Sequence, residues 1–455
     1  MVHRAPSPID STFISSLCEQ FLEQNYIEPE LYSRYSVKRG LRNADGTGVL
    51  AGITRICNVH GYMVSEGERV PAPGQLTYRG IDLYSLIDGF RKEDRFGFDE
   101  VCYLLNVGTL PNREQLTKFE ESIALARELP ENFTEDVIMR APSQDLMNKL
   151  AYATLALYSY DANPDDISPQ NVLRQGIELI AKFPIIISHA YQARRRYFNN
   201  ESMFLHVPDR TKSTAENILA LIRPDGAYTR EEARLLDMCL IVHAEHGGGN
   251  NSAFTCRVVS SSATDTYSAI SAATCSLKGP RHGGANLKVC QMLDDITENV
   301  HDITNEKQVF KHLCNILRYS ANDGSGLIYG MGHAIYTQSD PRAIVLKTYA
   351  RHLAKEKGFE DQLALVELVE KLTPRAFAEV RGQERVISAN VDLYSGLVYQ
   401  MLGIPREMFT PLFATSRIAG WMAHRLEEIS FNGKIMRPAY KVLSQDAEYI
   451  PLDQR

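Results

Sequence analysis

The most informative stretch of this 455-residue chain reads Gly279-Pro280-Arg281-His282-Gly283-Gly284-Ala285-Asn286. It is followed by apolar residues at helical spacing, namely Leu287, Val289, Met292, Leu293 and Ile296. The pattern predicts a helix N-terminus beside His282, and the glycines allow a substrate or another backbone segment to approach closely. The partial positive charge of a helix start disfavours a second positive charge on the ring, so we expect His282 to be neutral near pH 7. A neutral ring that donates a hydrogen bond suits a carbonyl that becomes an enolate.

Taken alone, a His-Gly-Gly turn is weak support for a site, because its histidine can equally satisfy backbone groups at a helix cap. The chain also carries other polar segments next to glycine or proline: His243-Ala244-Glu245-His246 before Gly247, Gly330-Met331-Gly332-His333, Asp340-Pro341-Arg342, Asn390-Val391-Asp392, Ser416-Arg417 and Arg437-Pro438. In this order and spacing the segments resemble the citrate synthase family, which condenses an acyl-CoA thioester with a 2-oxo acid. The resemblance covers roughly residues 220–440, and Leu76–Asp82 resembles the family's N-terminal signature.

Composition is that of an ordinary soluble globular enzyme. Hydrophobic residues make up 44% and charged residues 23% of the chain, and its length allows a large buried core. The formal net charge of -7 argues against sequence-independent binding to nucleic acid. We therefore expect anionic ligands to be held by local groups of arginine.

Cysteine usage and the absence of long apolar runs predict an intracellular protein. The eight cysteines are scattered without a CxxC pair, which favours reduced thiols over a zinc ribbon or a disulfide framework. The segment Met1–Leu17 lacks the continuous apolar core of a secretory signal. Because no uncharged apolar run is long enough to span a bilayer, we expect no membrane segment and a cytoplasmic location.

Local patterns predict mostly helix. Residues 40–78 are rich in Gly, Val, Thr and Pro and are typical of turns and short strands. A capping box at Thr229 predicts a helix that ends at the triple glycine from Gly247. Small side chains from Asp265 to Leu277 predict a closely packed helix, and the charged segment Glu356–Arg385, punctuated by glycine and proline, predicts a pair of surface helices.

The family resemblance implies a mainly α, two-domain helical fold of the citrate synthase type. A large domain would consist of residues 1–282 and 389–455 and would carry dimerisation and dicarboxylate binding. A small domain inserted at residues 283–388 would bind CoA and close over the site. The resemblance also implies a homodimer in which Arg437 reaches across the interface into the partner subunit's site.

Carbon-carbon bond formation at a thioester methyl needs a base, a donor for the enolate oxygen and activation of the ketone. Asp392 is the candidate base, because burial among its apolar neighbours would raise its pKa and strengthen it toward a carbon acid. Its alternative interpretation is a helix-capping aspartate. His282 would donate to the thioester carbonyl. His333 would polarise the ketone and later give up a proton. The family carries its catalytic His, His and Asp at these three positions.

Oxaloacetate has two carboxylates, and planar guanidinium groups can hold such groups bidentately. Arg342, Arg417 and Arg437 match the family's dicarboxylate-binding arginines, although any one arginine could instead form a surface ion pair. His246 matches a substrate-binding position. His243 has no assigned role and is interpreted as structural.

The resemblance therefore implies a citrate synthase, an acyltransferase that converts acetyl-CoA, oxaloacetate and water to citrate and CoA through an enolate and citryl-CoA. The CoA thioester is a substrate, and we expect no cofactor and no metal. The nearest alternative is 2-methylcitrate synthase acting on propionyl-CoA, because one methylene in a hydrophobic pocket discriminates by only about 1 to 3 kcal/mol. Two further alternatives are a metal-dependent hydrolase built on His243, Glu245, His246 and His282, and a non-catalytic helical scaffold.

One segment departs from the family pattern. Many relatives place a basic residue that contacts CoA phosphates between the histidine and the Asp-Pro-Arg, but residues 334–339 of this chain contain no cation. Phosphate contacts would then come from elsewhere, with Lys278, Arg281 and Lys347 as the candidates, or CoA would bind more weakly than in those relatives.

Overall fold

The computed structural model describes residues 10–43, 47–65, 68–382 and 386–454. The chain forms two compact units, of which one spans Thr54–Lys434 and the other consists of the described residues on either side of that range. Parts of two predicted features, the turns near residue 45 and the end of the charged segment near residue 384, lie outside the described residues, as does the start of the N-terminal segment.

The smaller unit contains two helices near its start. α1 spans Ser11–Gln24 and α2 spans Pro29–Arg34. Asp10 caps α1 with its side chain. From Ile435 onward the described chain is irregular, apart from a short 3-10 turn at Leu452–Gln454.

The larger unit begins with a small antiparallel sheet. β1 spans Cys57–Ser65, β2 spans Glu68–Tyr78 and β3 spans Ile81–Asp82, in the order β1-β2-β3. Alternate residues from Ala72 to Tyr78 are buried, which is the period expected of a strand with one face on a core. The prediction of strands in this region is confirmed, but β1 and β2, with 9 and 11 residues, are longer than the short strands expected.

Helices make up most of the remaining larger unit: α3 (Leu83–Lys92), α4 (Phe98–Val107), α5 (Arg113–Ala126), α6 (Leu146–Ala156), α7 (Pro169–Phe198), α8 (Thr214–Ile222), α9 (Arg230–His243), α10 (Asn251–Ser260), α11 (Thr266–Lys278), α12 (Ala285–Asn299), α13 (Glu306–Leu317), α14 (Pro341–Lys357), α15 (Glu360–Arg381), α16 (Val391–Met401) and α17 (Phe409–Glu427). Because 60% of the chain is helical, the prediction of a mainly α fold is confirmed.

Helix α17 lies at the centre of the core. Every residue from Phe409 to Arg425 is buried, and the helix packs against α4, α7, α9, α10 and α11. Burying one large aliphatic side chain such as Leu412 contributes about 1.5 to 3 kcal/mol, so packing on all sides holds this helix firmly. The polar residues of α17 are therefore carried on a rigid element.

Three local predictions are confirmed. The Thr229 side chain accepts from the backbone N–H of Glu232, and the reciprocal bond completes the capping box of α9. Asp265 caps α11, which spans almost the predicted range. Helix α12 begins at the end of the Gly279–Asn286 stretch and buries the apolar face that its spacing predicts.

The predicted end of α9 at Gly247 is wrong, because the helix stops at His243. The carbonyl oxygen of Ile241 accepts from the Tyr78 hydroxyl at 2.9 Å, and that of His243 accepts from Nε of Arg417 at 2.7 Å. Side chains thus bind oxygens that a longer helix would pair with backbone N–H groups of the next turn.

The predicted pair of surface helices within Glu356–Arg385 is also wrong, because Glu360–Arg381 forms one helix that continues through Pro374. Val369 and Ala376, on either side of the proline, are both fully buried, and α15 packs extensively against α13. Tertiary packing therefore outweighs the backbone hydrogen bond that proline removes.

All eight cysteines belong to the described residues, and none of them forms a disulfide. Within the same ranges, no helix combines the length and apolar character that crossing a bilayer requires.

Candidate active site

His282 lies in a tight turn between α11 and α12. The turn closes through two backbone bonds, from His282 N–H to Gly279 O at 2.9 Å and from Gly283 N–H to Leu277 O at 3.0 Å. Burial lowers the pKa of His282 to about 4, and the positive charge of Arg417 acts in the same direction. The ring is neutral near pH 7, as the sequence predicts, but burial is the main cause rather than the helix N-terminus.

Ser252 determines which ring nitrogen of His282 carries the proton. Its backbone N–H donates to Nε2 of His282 at 3.2 Å, and its Oγ lies 2.9 Å from the same nitrogen. Nε1 of Trp421 donates to that Oγ at 3.1 Å, and the hydroxyl itself donates to Oδ1 of Asn250 at 3.0 Å. Because a backbone N–H can only donate, Nε2 is the acceptor and the ring proton lies on Nδ1.

His333 has the opposite tautomer. Its Nδ1 accepts from the backbone N–H groups of Ile335 and Tyr336, both at 3.1 Å. In the uncharged ring, two donors at Nδ1 place the proton on Nε2. The ring meets that of His246 edge to face, with centroids 5.1 Å apart.

The loop that carries His333 is pinned to the segment before α16. Gly332 N–H donates to Ser388 O at 2.7 Å, and Asn390 N–H donates to Gly330 O at 2.9 Å. The Asn390 side chain donates to Gly332 O, also at 2.9 Å. Gly330 has a φ of +79°, and a Cβ there would lie 2.9 Å from the backbone of α16, so only glycine fits. The loop and the start of α16 therefore form one piece.

Asp392 lies in the first turn of α16. Asn390 occupies the N-cap and accepts from Asp392 N–H at 3.0 Å, so the interpretation of Asp392 as the helix cap is wrong. Its Oδ1 is buried, and none of the described residues donates to it. Burial raises the pKa of Asp392 to about 7, with Arg342 and Arg417 opposing this and Asp340 adding to it. The carboxyl is therefore a stronger base than an ordinary aspartate.

Arg342 is held by Asp340 in a two-pronged ion pair. Nε of Arg342 lies 3.0 Å from Oδ1 and Nη2 lies 2.7 Å from Oδ2. Asp340 also caps α14 and accepts the N–H of Val391 at 3.2 Å. Burial works against the charge of Arg342, but the carboxylate of Asp340 raises its pKa above the ordinary value. Asp340 thus orients the guanidinium and ties α14 to the start of α16.

Arg417 lies in the middle of α17 and is 1% exposed. Its Nε donates to His243 O, and its guanidinium carbon lies 4.6 Å from the centroid of the Phe413 ring. Nη2 is buried and has no acceptor among the described residues. Burial lowers the pKa of Arg417 to about 10, while the charge of Glu245 opposes this. A buried cationic N–H group without an acceptor favours the entry of a carboxylate.

The two histidines of the His243–His246 segment differ in their surroundings. Nε2 of His246 lies 3.2 Å from the Tyr336 hydroxyl, and burial, together with the charge of Arg342, lowers its pKa well below the ordinary value. His243 instead contacts Cys239 O of its own helix through Nδ1 at 2.8 Å. That contact fits the structural interpretation of His243.

Arg437 is the one predicted site residue outside the larger unit. It is exposed in the irregular C-terminal segment of the smaller unit. Its assignment to a partner subunit's site stays a prediction.

The residues of the metal-site alternative have other partners. Oε1 of Glu245 lies 3.0 Å from Nε2 of His424, and the contacts of His243 and His282 are those given above. In the part of the chain that the structure describes, no group of three or more His, Cys, Asp or Glu residues is placed to hold a metal ion.

The three candidates for CoA phosphate contacts differ in their surroundings. Nζ of Lys278 lies 3.3 Å from a carboxylate oxygen of Asp145, and that of Lys347 lies 2.6 Å from one of Glu370. Arg281 is exposed directly beside His282. Two of the three candidates are therefore held in ion pairs, and the assignment of any of them to CoA phosphates stays a prediction.

Three residues that shape the site were not singled out from the sequence, namely Ser252, Tyr336 and Trp421, and Asp340 was quoted only as part of the Asp340-Pro341-Arg342 segment, without a role. The sequence did indicate a role for Asp340 as a helix cap, because an aspartate directly before proline is typical of a helix start. Trp421 is the only tryptophan of the chain. The partnership of Ser252 with His282 joins positions 30 residues apart and had no local signal.

The assembled cluster combines two imidazoles with defined tautomers, one carboxyl of raised pKa and two buried guanidinium groups. Such a set can remove a proton from a carbon acid, stabilise the resulting enolate and hold a dicarboxylate.

Comparison with known proteins agrees with this chemistry. A family model described as the C-terminal domain of citrate synthase matches residues 43–439. A citrate synthase of Synechocystis sp. is 33% identical over 414 residues, which cover 90% of this chain and 92% of that protein. A protein named 2-methylcitrate synthase 2 from Corynebacterium glutamicum is 29% identical over 90% of this chain and 96% of its own length. Among solved structures, citrate synthase from Thermoplasma acidophilum in a ternary complex with carboxymethyl coenzyme A and oxaloacetate is 25% identical to this chain, with a TM-score of 0.75. The match covers 92% of this chain and 99% of that one.

Proposed function

The chain belongs to the citrate synthase family, and from this premise we propose that it condenses acetyl-CoA with oxaloacetate and water to give citrate and CoA. The observation that carries the proposal is the Asp392 carboxyl, whose pKa burial raises to about 7, in a cluster with the neutral ring of His282. A base of this strength and a neutral donor are what proton removal beside a thioester carbonyl requires.

In the first step, Asp392 takes a proton from the methyl group of acetyl-CoA. The thioester carbonyl gains negative charge as the enolate forms, and Nδ1–H of His282 donates to that oxygen. Because Ser252 holds the opposite ring nitrogen, the donor needs no rearrangement when the charge develops.

In the second step, the enolate carbon attacks the ketone carbon of oxaloacetate. Nε2–H of His333 donates to the ketone oxygen and gives it a proton as the new bond forms, which yields citryl-CoA. Arg342 and Arg417 hold the carboxylates of oxaloacetate, and His246 contacts the same substrate. Water then cleaves the thioester to release citrate and CoA, and the proton that Asp392 took up returns to Nε2 of His333, so that both groups regain their starting states.

The assembly belongs to the same proposal. We propose a homodimer in which Arg437 completes the partner subunit's dicarboxylate site, and a small domain at residues 283–388 that closes on a large domain of residues 1–282 and 389–455. Closure would exclude water before the enolate forms. The chemistry runs on side chains alone, so we propose no cofactor and no metal. The free thiols of all eight cysteines support a cytoplasmic location.

A second candidate, 2-methylcitrate synthesis from propionyl-CoA, is favoured by the 29% identity to the Corynebacterium glutamicum protein of that name. It uses the same residues in the same roles. The two candidates differ by one methylene in the acyl pocket, which is worth about 1 to 3 kcal/mol.

The test is release of free thiol on mixing the protein with oxaloacetate and either acetyl-CoA or propionyl-CoA. We expect a higher specificity constant for acetyl-CoA. A preference for propionyl-CoA would establish the second candidate, and oxaloacetate-dependent release from neither thioester would leave a helical scaffold without this activity.

A further inference from the structure

The segment between His333 and Asp340 is clamped to the β1–β2 hairpin. Thr337 Oγ1 donates to Gly61 O at 2.6 Å, and Gln338 Nε2 donates to Pro71 O at 3.0 Å. Ser339 Oγ accepts from Gly74 N–H at 3.1 Å. These bonds, which we name the 337–339 clamp, use three consecutive side chains in the segment where many relatives carry a phosphate-binding cation.

The hairpin is shaped to receive this segment. The register of β1 and β2 shifts at Gly61, between His60 and Tyr62. A Cβ on Gly61 would lie 2.7 Å from Ile335 O, and a Cβ on Gly74 would lie 2.1 Å from a backbone oxygen of the segment. Both strands therefore approach the segment more closely than any side chain would allow.

Tyr336, the residue just before the clamp, touches three groups assigned to the 2-oxo acid. It is 2% exposed, and its hydroxyl lies 3.2 Å from Nε2 of His246. Its ring stacks on that of His333 with centroids 4.6 Å apart, and the Arg342 guanidinium carbon lies 6.0 Å from its centroid. One side chain thus lies beside His246, His333 and Arg342.

The hydroxyl contact joins two uncharged groups. Burial raises the pKa of Tyr336, so the hydroxyl keeps its proton, and burial keeps His246 neutral by lowering its pKa. A neutral ring either accepts at Nε2 from the tyrosine hydroxyl or donates to it, so this contact couples the tautomer of His246 to Tyr336. The backbone N–H of Tyr336 also donates to Nδ1 of His333. The same residue therefore acts on the tautomers of both histidines.

We infer that Tyr336 is a positioning residue for the 2-oxo acid, which orients His246 through its hydroxyl and supports His333 through its ring, and that the 337–339 clamp fixes its place. The inference rests on the proposed function for its kinetic readout. The hairpin would then influence substrate binding indirectly, by holding Tyr336 in place through the clamp.

The first test is Tyr336→Phe, which removes the hydroxyl and keeps the ring. Because this change removes the hydrogen bond to His246, KM for oxaloacetate should rise about 3- to 10-fold, while KM for acetyl-CoA changes less than about twofold. In protein labelled with 15N histidine, the resonances of His246, assigned through their loss in His246→Gln, should shift, because loss of the hydroxyl changes the balance between the two tautomers of the ring. An unchanged tautomer and an unchanged KM would overturn the inference.

The second test separates the clamp from folding. Thr337→Val removes the bond to Gly61 at nearly constant volume and should raise KM for oxaloacetate about 3-fold or more. Thr337→Ser retains the hydroxyl and should restore the original value. Gly74→Ala places a methyl group against the segment. It should raise KM for oxaloacetate more than Thr337→Val does. Gly89→Ala is the matched control, because a Cβ there meets nothing within 4 Å. Equal KM values in Thr337→Val and Thr337→Ser would remove the clamp from the inference.

Failure of the inference and failure of the proposed function give different results. If the unmodified protein releases no thiol, the proposed function fails, and the His246 resonances still decide the role of Tyr336. If the unmodified protein is active and Tyr336→Phe matches it in KM and tautomer, only the inference fails.

Discussion

Replacing Asp392 with asparagine should stabilise the protein while removing its activity. The carboxyl has a pKa of about 7 in the folded chain against an ordinary value of 3.8. Since the folded state binds this proton more tightly, the stability it contributes is present below pH 3.8 and is lost as the pH rises through about 7. A pKa difference of about three units corresponds to about 4 kcal/mol. Because Asp392 is partly exposed, we expect its ionisation to cost the folded state about 2 to 4 kcal/mol at pH 8.

Asparagine does not ionise, so the stability difference between Asp392→Asn and the unmodified protein should be small near pH 4, grow up to about pH 7 and then level off. Denaturant unfolding of both proteins at one fixed concentration, at several values between pH 4 and 8, measures it. Thiol release should fall by about 100- to 10,000-fold. Asp88→Asn, which alters an exposed carboxylate on α3, is the control, and its stability difference from the unmodified protein should not increase with pH in this way. A stability difference that stays constant with pH would refute the assignment of a buried, poorly solvated carboxyl.

Four other results are expected. In the unmodified protein, kcat/KM should rise with pH around 7, because only the ionised form of Asp392 accepts a proton; a profile flat from pH 5 to 8 would contradict this. Ser252→Ala keeps the backbone donor but loses the hydroxyl, so kcat should fall about 3- to 10-fold with KM for oxaloacetate unchanged. Arg417→Lys loses a planar donor pair and should raise KM for oxaloacetate about 10- to 100-fold, measured by steady-state kinetics. Arg281→Ala should raise KM for acetyl-CoA about 3-fold or more if the arginine contacts a phosphate, and an unchanged KM would exclude it.

The sequence predicts the parts of this site that lie on local patterns. Glycine next to histidine marks the turn of His282 and the loop of His333, and apolar spacing places α12 directly after the first of them. The capping box at Thr229 identifies the start of α9 because all of its hydrogen bonds lie within four residues. These features could be read from the chain because their causes are local.

Features that depend on distant partners could not be read in the same way. The end of α9 is determined by Tyr78 and Arg417, which lie far from it in sequence and bind its carbonyl oxygens. Pro374 predicts a break, but packing against α13 keeps α15 continuous. The neutral state of His282 was predicted from a helix N-terminus, whereas burial, a property of the whole fold, is its main cause.

The pinning of the His333 loop to the start of α16 has a consequence for engineering. Residues 330–332 and 388–390 share backbone hydrogen bonds, and Asp340 joins the same segment to Arg342. A change made in either stretch will displace His333 and Asp392 together. Mutant libraries should therefore vary the two stretches together, as one mutational unit. Substitutions selected in one stretch alone would often be incompatible with the unchanged backbone of the other.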